Sequence, residues 1–136
     1  MEIDGHCHCG NITYRATIDP ERIVVCHCTD CQSLSGSAFR TVAFTEPDAF
    51  ETLSGTLKVY VKTSADSGTP RAQGFCGECG SAIYATSVGE GPKVYGLRTG
   101  TITQRAELIP KKQIWHRSAL PWLAELGTLP ASQTQA

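Results

Sequence analysis

The chain has 136 residues, 40% of them hydrophobic and 18% charged, which suits one domain with a modest core. Twelve Lys and Arg stand against 13 Asp and Glu, for a formal net charge of -1. That balance excludes the basic footprint of a nucleic-acid-binding domain, and no apolar run is long enough to cross a bilayer. The start, MEIDGHCHCG, lacks the basic n-region and apolar h-region of a signal peptide. A cytoplasmic protein without nucleic-acid or membrane partners is expected.

In chain order, NITYRATI (11–18) alternates apolar and polar side chains and predicts a half-buried strand. RIVVC (22–26) predicts a short buried strand, and SAFRTVAF (37–44) another, ended by Pro47. Between them, TDCQSLSG (29–36) predicts one short helical turn capped by Thr29 or Asp30. TLKVYVK (56–62) alternates well. TSADSGTP (63–70) is a polar loop by its turn residues. Strands RAQGF (71–75) and SAIYATS (81–87) flank CGECG, and GEGP (89–92) is a turn. KVYGLRTGTI (93–102) is a weaker strand, its glycines suggesting bends. SALPWLAELG (118–127) predicts the C-terminal helix, with Ser118 as cap, Pro121 in the first turn and Gly127 as stop. Residues 128–136 read as a disordered tail, leaving one domain over 1–127. The sum is a mainly β protein of short antiparallel sheets with one short C-terminal helix.

Seven cysteines is an odd number, so internal disulfides cannot use them all. In a reducing compartment they are free to bind metal. They fall into Cys7 and Cys9 (C-x-C), Cys26, Cys28 and Cys31 (C-x-C-x-x-C), and Cys76 and Cys79 (C-x-x-C). Cys7 and Cys9 with Cys76 and Cys79 make the four thiolates of a structural zinc site. The remaining trio supplies three ligands, as in a zinc site that keeps one position open. Three thiolates blunt Lewis acidity but suit a soft metal holding a further thiolate. Other readings stay open for the trio: a closed site completed by His27, His8 or His116, a redox pair of Cys28 and Cys31 resolved by Cys26, or inert buried thiols. His6, His8 and His27 read as flanking residues, and His116 as packed. Trp115 and Trp122 read as core, with walling a pocket as the alternative.

The runs GHCHCGNITY, CHCTDCQSLSGSAF, FCGECGSAIY and QIWHRSALPWL, in this order, resemble the glutathione-dependent formaldehyde-activating enzyme family over about residues 4–125. The resemblance implies a β-tent zinc fold, a structural zinc on Cys7, Cys9, Cys76 and Cys79, and a catalytic zinc on Cys26, Cys28 and Cys31. It implies carbon–sulfur lyase chemistry: the joining of glutathione and formaldehyde into S-(hydroxymethyl)glutathione, and the reverse. Two zinc ions, glutathione as co-substrate and a small aldehyde are the expected partners. Candidate substrate contacts are Ser33, Gly36 and Ser37 in the loop after the trio, and Arg40. Arg71, Arg98 and Arg117 are further candidates for glutathione's carboxylates, because Arg pairs bidentately with them. A zinc-stabilised binding module and a redox or metal sensor are the competing functions.

Overall fold

The structure, a computed structural model, describes residues 1–63 and 67–135. It is mainly β and almost wholly antiparallel, as the sequence leads one to expect. The strands are β1 (Glu2–His6), β2 (Thr13–Cys26), β3 (Arg40–Ser54), β4 (Leu57–Lys62), β5 (Arg71–Cys76), β6 (Ala82–Ser87), β7 (Gly96–Arg98) and β8 (Lys112–Ile114). They form one ladder in the order β1-β2-β3-β7-β6-β5-β4, with β8 pairing β2 in parallel. The single α-helix among the described residues is α1 (Thr29–Ser35). Of the 63–70 loop, residues 64–66 lie outside the described residues.

Several expectations need correction. The strands expected at 11–18 and 22–26 are one strand, β2. Its pairing with β3 jumps from Ile18↔Thr45 to Ile23↔Ala43, so residues 19–22 oppose Phe44 alone. This bulge puts Ile18 and Ile23 on the same face although they are five apart, and both are buried. Pro47 does not end β3, which runs on to Ser54. The proline falls between the pairs Thr45↔Ile18 and Phe50↔Ala16, in a stretch that needs no ladder N–H from it. Asp48 there takes a positive φ of 56° and is held by Lys93 through its backbone N–H and Oδ1.

The expected strand over 93–102 shrinks to β7 and then turns into a 3₁₀ helix at Thr99–Thr101. The C-terminal helix is 3₁₀, Pro121–Thr128, with Leu120 at its N-cap. Ser118 instead ends a separate 3₁₀ turn, and Gly127 lies inside the helix. Strands β1 and β8 were not expected. Each is short, and β1 is half polar, so neither carries a periodic signal long enough to read.

Strand alternation gives the sheet two faces. On one, Ile23, Ala43, Leu97 and Tyr84 are joined through the pairs Ile23↔Ala43, Ala43↔Leu97 and Tyr84↔Leu97. They meet Ile3, Ile12, Ile83 and Ile102 in the core. Rings of Tyr14, Phe50, Tyr84 and Tyr95 pack beside this core at centroid distances of 4.8–5.3 Å. Gly5 on β1 crosses where a Cβ would collide with the Tyr14 ring and with the Thr101 carbonyl oxygen. Gly5→Ala is therefore expected to cost about 1–3 kcal/mol through overpacking and to lower Tm by several degrees in a thermal melt. An unchanged Tm would show that this crossing can relax freely.

Candidate metal centre and cavity

The sheet order places β1 and β5 far apart in the ladder, yet Cys7 and Cys9 after β1 meet Cys76 and Cys79 after β5. The Sγ atoms lie within 4.8 Å of one another, with Cys7–Cys9 at 3.6 Å and Cys9–Cys76 at 3.8 Å. Sulfurs at the corners of a tetrahedron with bonds of about 2.3 Å would be about 3.8 Å apart, so the donor set fits zinc. Cys7 and Cys76 are fully buried. The Ile12 N–H donates to Cys7 Sγ at 3.2 Å, and Cys79 Sγ lies 3.2 Å from Ser81 Oγ. That Ser81 hydrogen bond is the main reason the Cys79 thiol is lowered to about 5.

The second group is Cys26, Cys28 and Cys31. Cys26 ends β2. Cys28 is the N-cap of α1, accepting from the Cys31 N–H at 3.2 Å, a role expected of Thr29 or Asp30. The sulfur here takes the part of a capping oxygen, accepting a backbone N–H at a helix start. Gly36 closes the helix in the left-handed conformation, φ 66°. Among the described residues no histidine nitrogen joins either sulfur group. His27 Nε2 faces Gln113 Oε1 at 2.7 Å, and the ring stands 5.4 Å from His116. His8 is exposed, its N–H on Ser81 Oγ, while His6 Nδ1 lies 2.8 Å from the Cys7 carbonyl. The trio thus has three clustered ligands and no fourth from the described chain. Its sulfurs share charge unevenly. A hydrogen bond from Cys26 lowers Cys31 to about 5, helped by the charges of Arg40 and Arg98 against desolvation, while the Cys26 thiol is driven up.

The trio lies in the wall of a cavity of about 270 Å³. The wall is the second face of the sheet: Val24↔Val42, Cys26↔Arg40, Val42↔Arg98, Phe44↔Gly96, Ala85↔Gly96 and Gln73↔Ala85 put their side chains on it in register. Trp115 and Ser118 border it from the C-terminal segment, which Gln32 ties to the Cys26–Cys31 loop through the carbonyls of His27 and Ser118.

Of the expected substrate contacts, Arg40 lines the cavity, as do Arg71 and Arg98. Ser33, Gly36 and Ser37 are exposed and do not line it; Ser33 Oγ bonds the Asp30 carbonyl within α1. Arg117 lies over the Trp115 ring at 5.1 Å, outside the lining. Trp115 and Trp122 are not core: both are exposed, 39% and 49%, and only Trp115 borders the cavity. Sequence reasoning missed Gln73, Lys62 and Thr29. The alternation of RAQGF, with Arg71 and Gln73 on one face, was the available signal for the first of these.

The match to the model of the glutathione-dependent formaldehyde-activating enzyme family runs over residues 2–118. The chain belongs to this family. The family name describes an enzyme that activates formaldehyde with glutathione, a thiol and an aldehyde. No curated protein sequence matches the chain. Among solved structures, it is similar to a Rhodobacter sphaeroides protein determined as a structural-genomics target. The TM-score is 0.60 at 18% identity, over 81% of this chain and 98% of that one, a likeness of fold.

Proposed function

We propose that this family member is a cytoplasmic carbon–sulfur lyase that makes and breaks a small thiol–aldehyde adduct of the S-(hydroxymethyl)glutathione kind. The observation that carries this reading is the three-sulfur group, with no fourth donor among the described residues, in the wall of a cavity. Two zinc ions fit the donor sets, one structural on Cys7, Cys9, Cys76 and Cys79, one at Cys26, Cys28 and Cys31. Bound at the trio, zinc would supply Lewis acidity that favours the thiolate form of a thiol at neutral pH.

The chain's own residues do the rest. Cys26, Cys28 and Cys31 would hold the ion at the wall. Arg40, Arg71 and Arg98 attract acidic groups on the substrate, and Lys62, paired with Asp30 at 3.3 Å, borders the same space. Val24, Val42 and Phe44 give the cavity an apolar side that limits water beside the reacting carbon. Holding two small reactants together is the main source of rate.

The test is magnetisation exchange between free and adducted formaldehyde at neutral pH, with glutathione and reduced, zinc-loaded protein. The exchange is expected to be accelerated about tenfold or more over buffer. Exchange at the buffer rate would rule the lyase out and leave a binding or sensing role for the fold.

A further inference from the structure

The family's namesake aldehyde is neutral, but this cavity has two buried arginines in its wall. Arg40 sits directly across the ladder from Cys26, and Arg98 pairs with Val42, two residues along β3 on the same face. Directly opposed residues in an antiparallel pair have Cα atoms about 4.5–5.5 Å apart, so Arg40 starts beside the sulfur trio. Both arginines are more than nine-tenths buried, at 7% and 9% exposure. Each leaves an Nε–H without a hydrogen-bond partner, and Arg98 spends one terminal nitrogen on Gln73 Oε1 at 2.8 Å. Among the described residues the ion pairs are Arg15–Glu51, Lys62–Asp30 and Lys111–Glu21. None of them reaches Arg40, Arg71 or Arg98. Unpaired buried charge is costly, so an anion is due here.

The sulfurs account for part of it. Three thiolates on a divalent ion carry one negative charge, and a bound thiolate adds a second. The three cavity guanidiniums then leave one positive charge unmatched. Glutathione's carboxylates are set off from its sulfur by peptide units, whereas Arg40 stands directly across the ladder from Cys26. A small anion at Arg40 and Arg98 would sit beside the sulfur trio, where the thiol's sulfur reacts.

We propose that Arg40 and Arg98 form a carboxylate subsite for the carbonyl substrate, so that the cavity takes an aldehyde bearing an acid group, a short 2-oxo acid of the glyoxylate type. This rests on the lyase reading above. The thiolate's electron pair forms the sulfur–carbon bond, the carbonyl π pair moves to oxygen, solvent supplies the proton, and the carboxylate is unchanged. Glyoxylate is small enough to share a cavity of about 270 Å³ with a thiol end, and Arg forks match a carboxylate bidentately.

The experiment has a kinetic arm and a binding arm, both on reduced, zinc-loaded full chain. In the first, adduct formation is followed with glyoxylate and with formaldehyde, using glutathione and then cysteamine, a thiol without carboxylates. Glyoxylate is expected to be favoured in kcat/KM by about tenfold or more, the worth of a charge-assisted contact, with both thiols. Arg98→Gln is expected to collapse that preference, and Arg98→Lys to restore part of it. In the second arm, glycolate, which cannot add a thiol, is titrated calorimetrically against ethylene glycol. Saturable glycolate binding that Arg40→Gln or Arg98→Gln weakens about tenfold supports the subsite, with circular dichroism melts showing each variant folded. Arg71→Gln, at a half-buried arginine that also lines the cavity, serves should neither buried variant fold.

A preference that vanishes with cysteamine would assign the arginines to the thiol and overturn the proposal. So would formaldehyde turnover without preference, which leaves the lyase standing. Absence of turnover with either aldehyde sinks the lyase and the substrate assignment with it, whatever glycolate does.

Discussion

Cys76→Ser is expected to leave a chain that does not fold. Cys76 ends β5 and Cys7 follows β1, strands separated by β2, β3, β7 and β6 in the ladder. The sulfur cluster pins these distant strands together, with Cys9 and Cys76 67 residues apart in sequence. Cys7 and Cys76 have no exposed surface, so a serine at 76 would bury a hydroxyl facing three thiols. Structural zinc sites carry about 10–16 kcal/mol of apparent binding free energy, as much as or more than the roughly 5–15 kcal/mol that holds a typical domain folded. The loss of one ligand removes enough of it to decide folding. Far-UV circular dichroism and a thermal melt under reducing, zinc-replete conditions check this. A cooperative transition within a few degrees of the parent would show that the core holds the fold without this cluster.

Cys31→Ser is expected to do the reverse, keeping the fold and losing the chemistry. Cys31 is half-buried at the cavity wall, on a helix of seven residues that has no buried member. Its backbone N–H, not its side chain, donates to the Sγ of the capping Cys28, so the helix start survives the substitution. The adduct exchange rate is expected to fall about 100-fold or more, because both activation and positioning of the thiol are lost. The Tm is expected to stay within a few degrees. A variant that exchanges formaldehyde at the parental rate would remove the trio from the reaction. One that unfolds like Cys76→Ser would make the trio a second structural staple.

The partition of the cysteines into four and three was legible in the sequence because spacing of ligands is local information. Cys76-x-x-Cys79 and Cys26-x-Cys28-x-x-Cys31 each lie on one turn of chain. The alternating strands were legible for the same reason. The bulge in β2 was not: Ile18 and Ile23 look out of phase until the extra residues opposite Phe44 restore the phase. Pro47 read as a stop because a proline is harmless only where the partner strand asks for no N–H, and that depends on the register with β2. The cavity was the least legible part. Arg40, Arg98 and Arg71 come from three strands, and only the pairs Cys26↔Arg40 and Val42↔Arg98 and the cavity itself bring them beside the trio. The expected contacts Ser33, Gly36 and Ser37 were chosen for nearness in sequence to Cys31. α1 turns them outward instead.

The most direct measurement is cadmium NMR of the reduced protein with both sites filled by cadmium, before and after glutathione. Two resonances are expected, one of them in the range of four sulfur ligands and insensitive to the thiol. The other is expected to shift toward that range when glutathione is added, and to be absent in Cys31→Ser. A single resonance, or two that glutathione leaves unmoved, would contradict a thiol bound at the Cys26, Cys28 and Cys31 site.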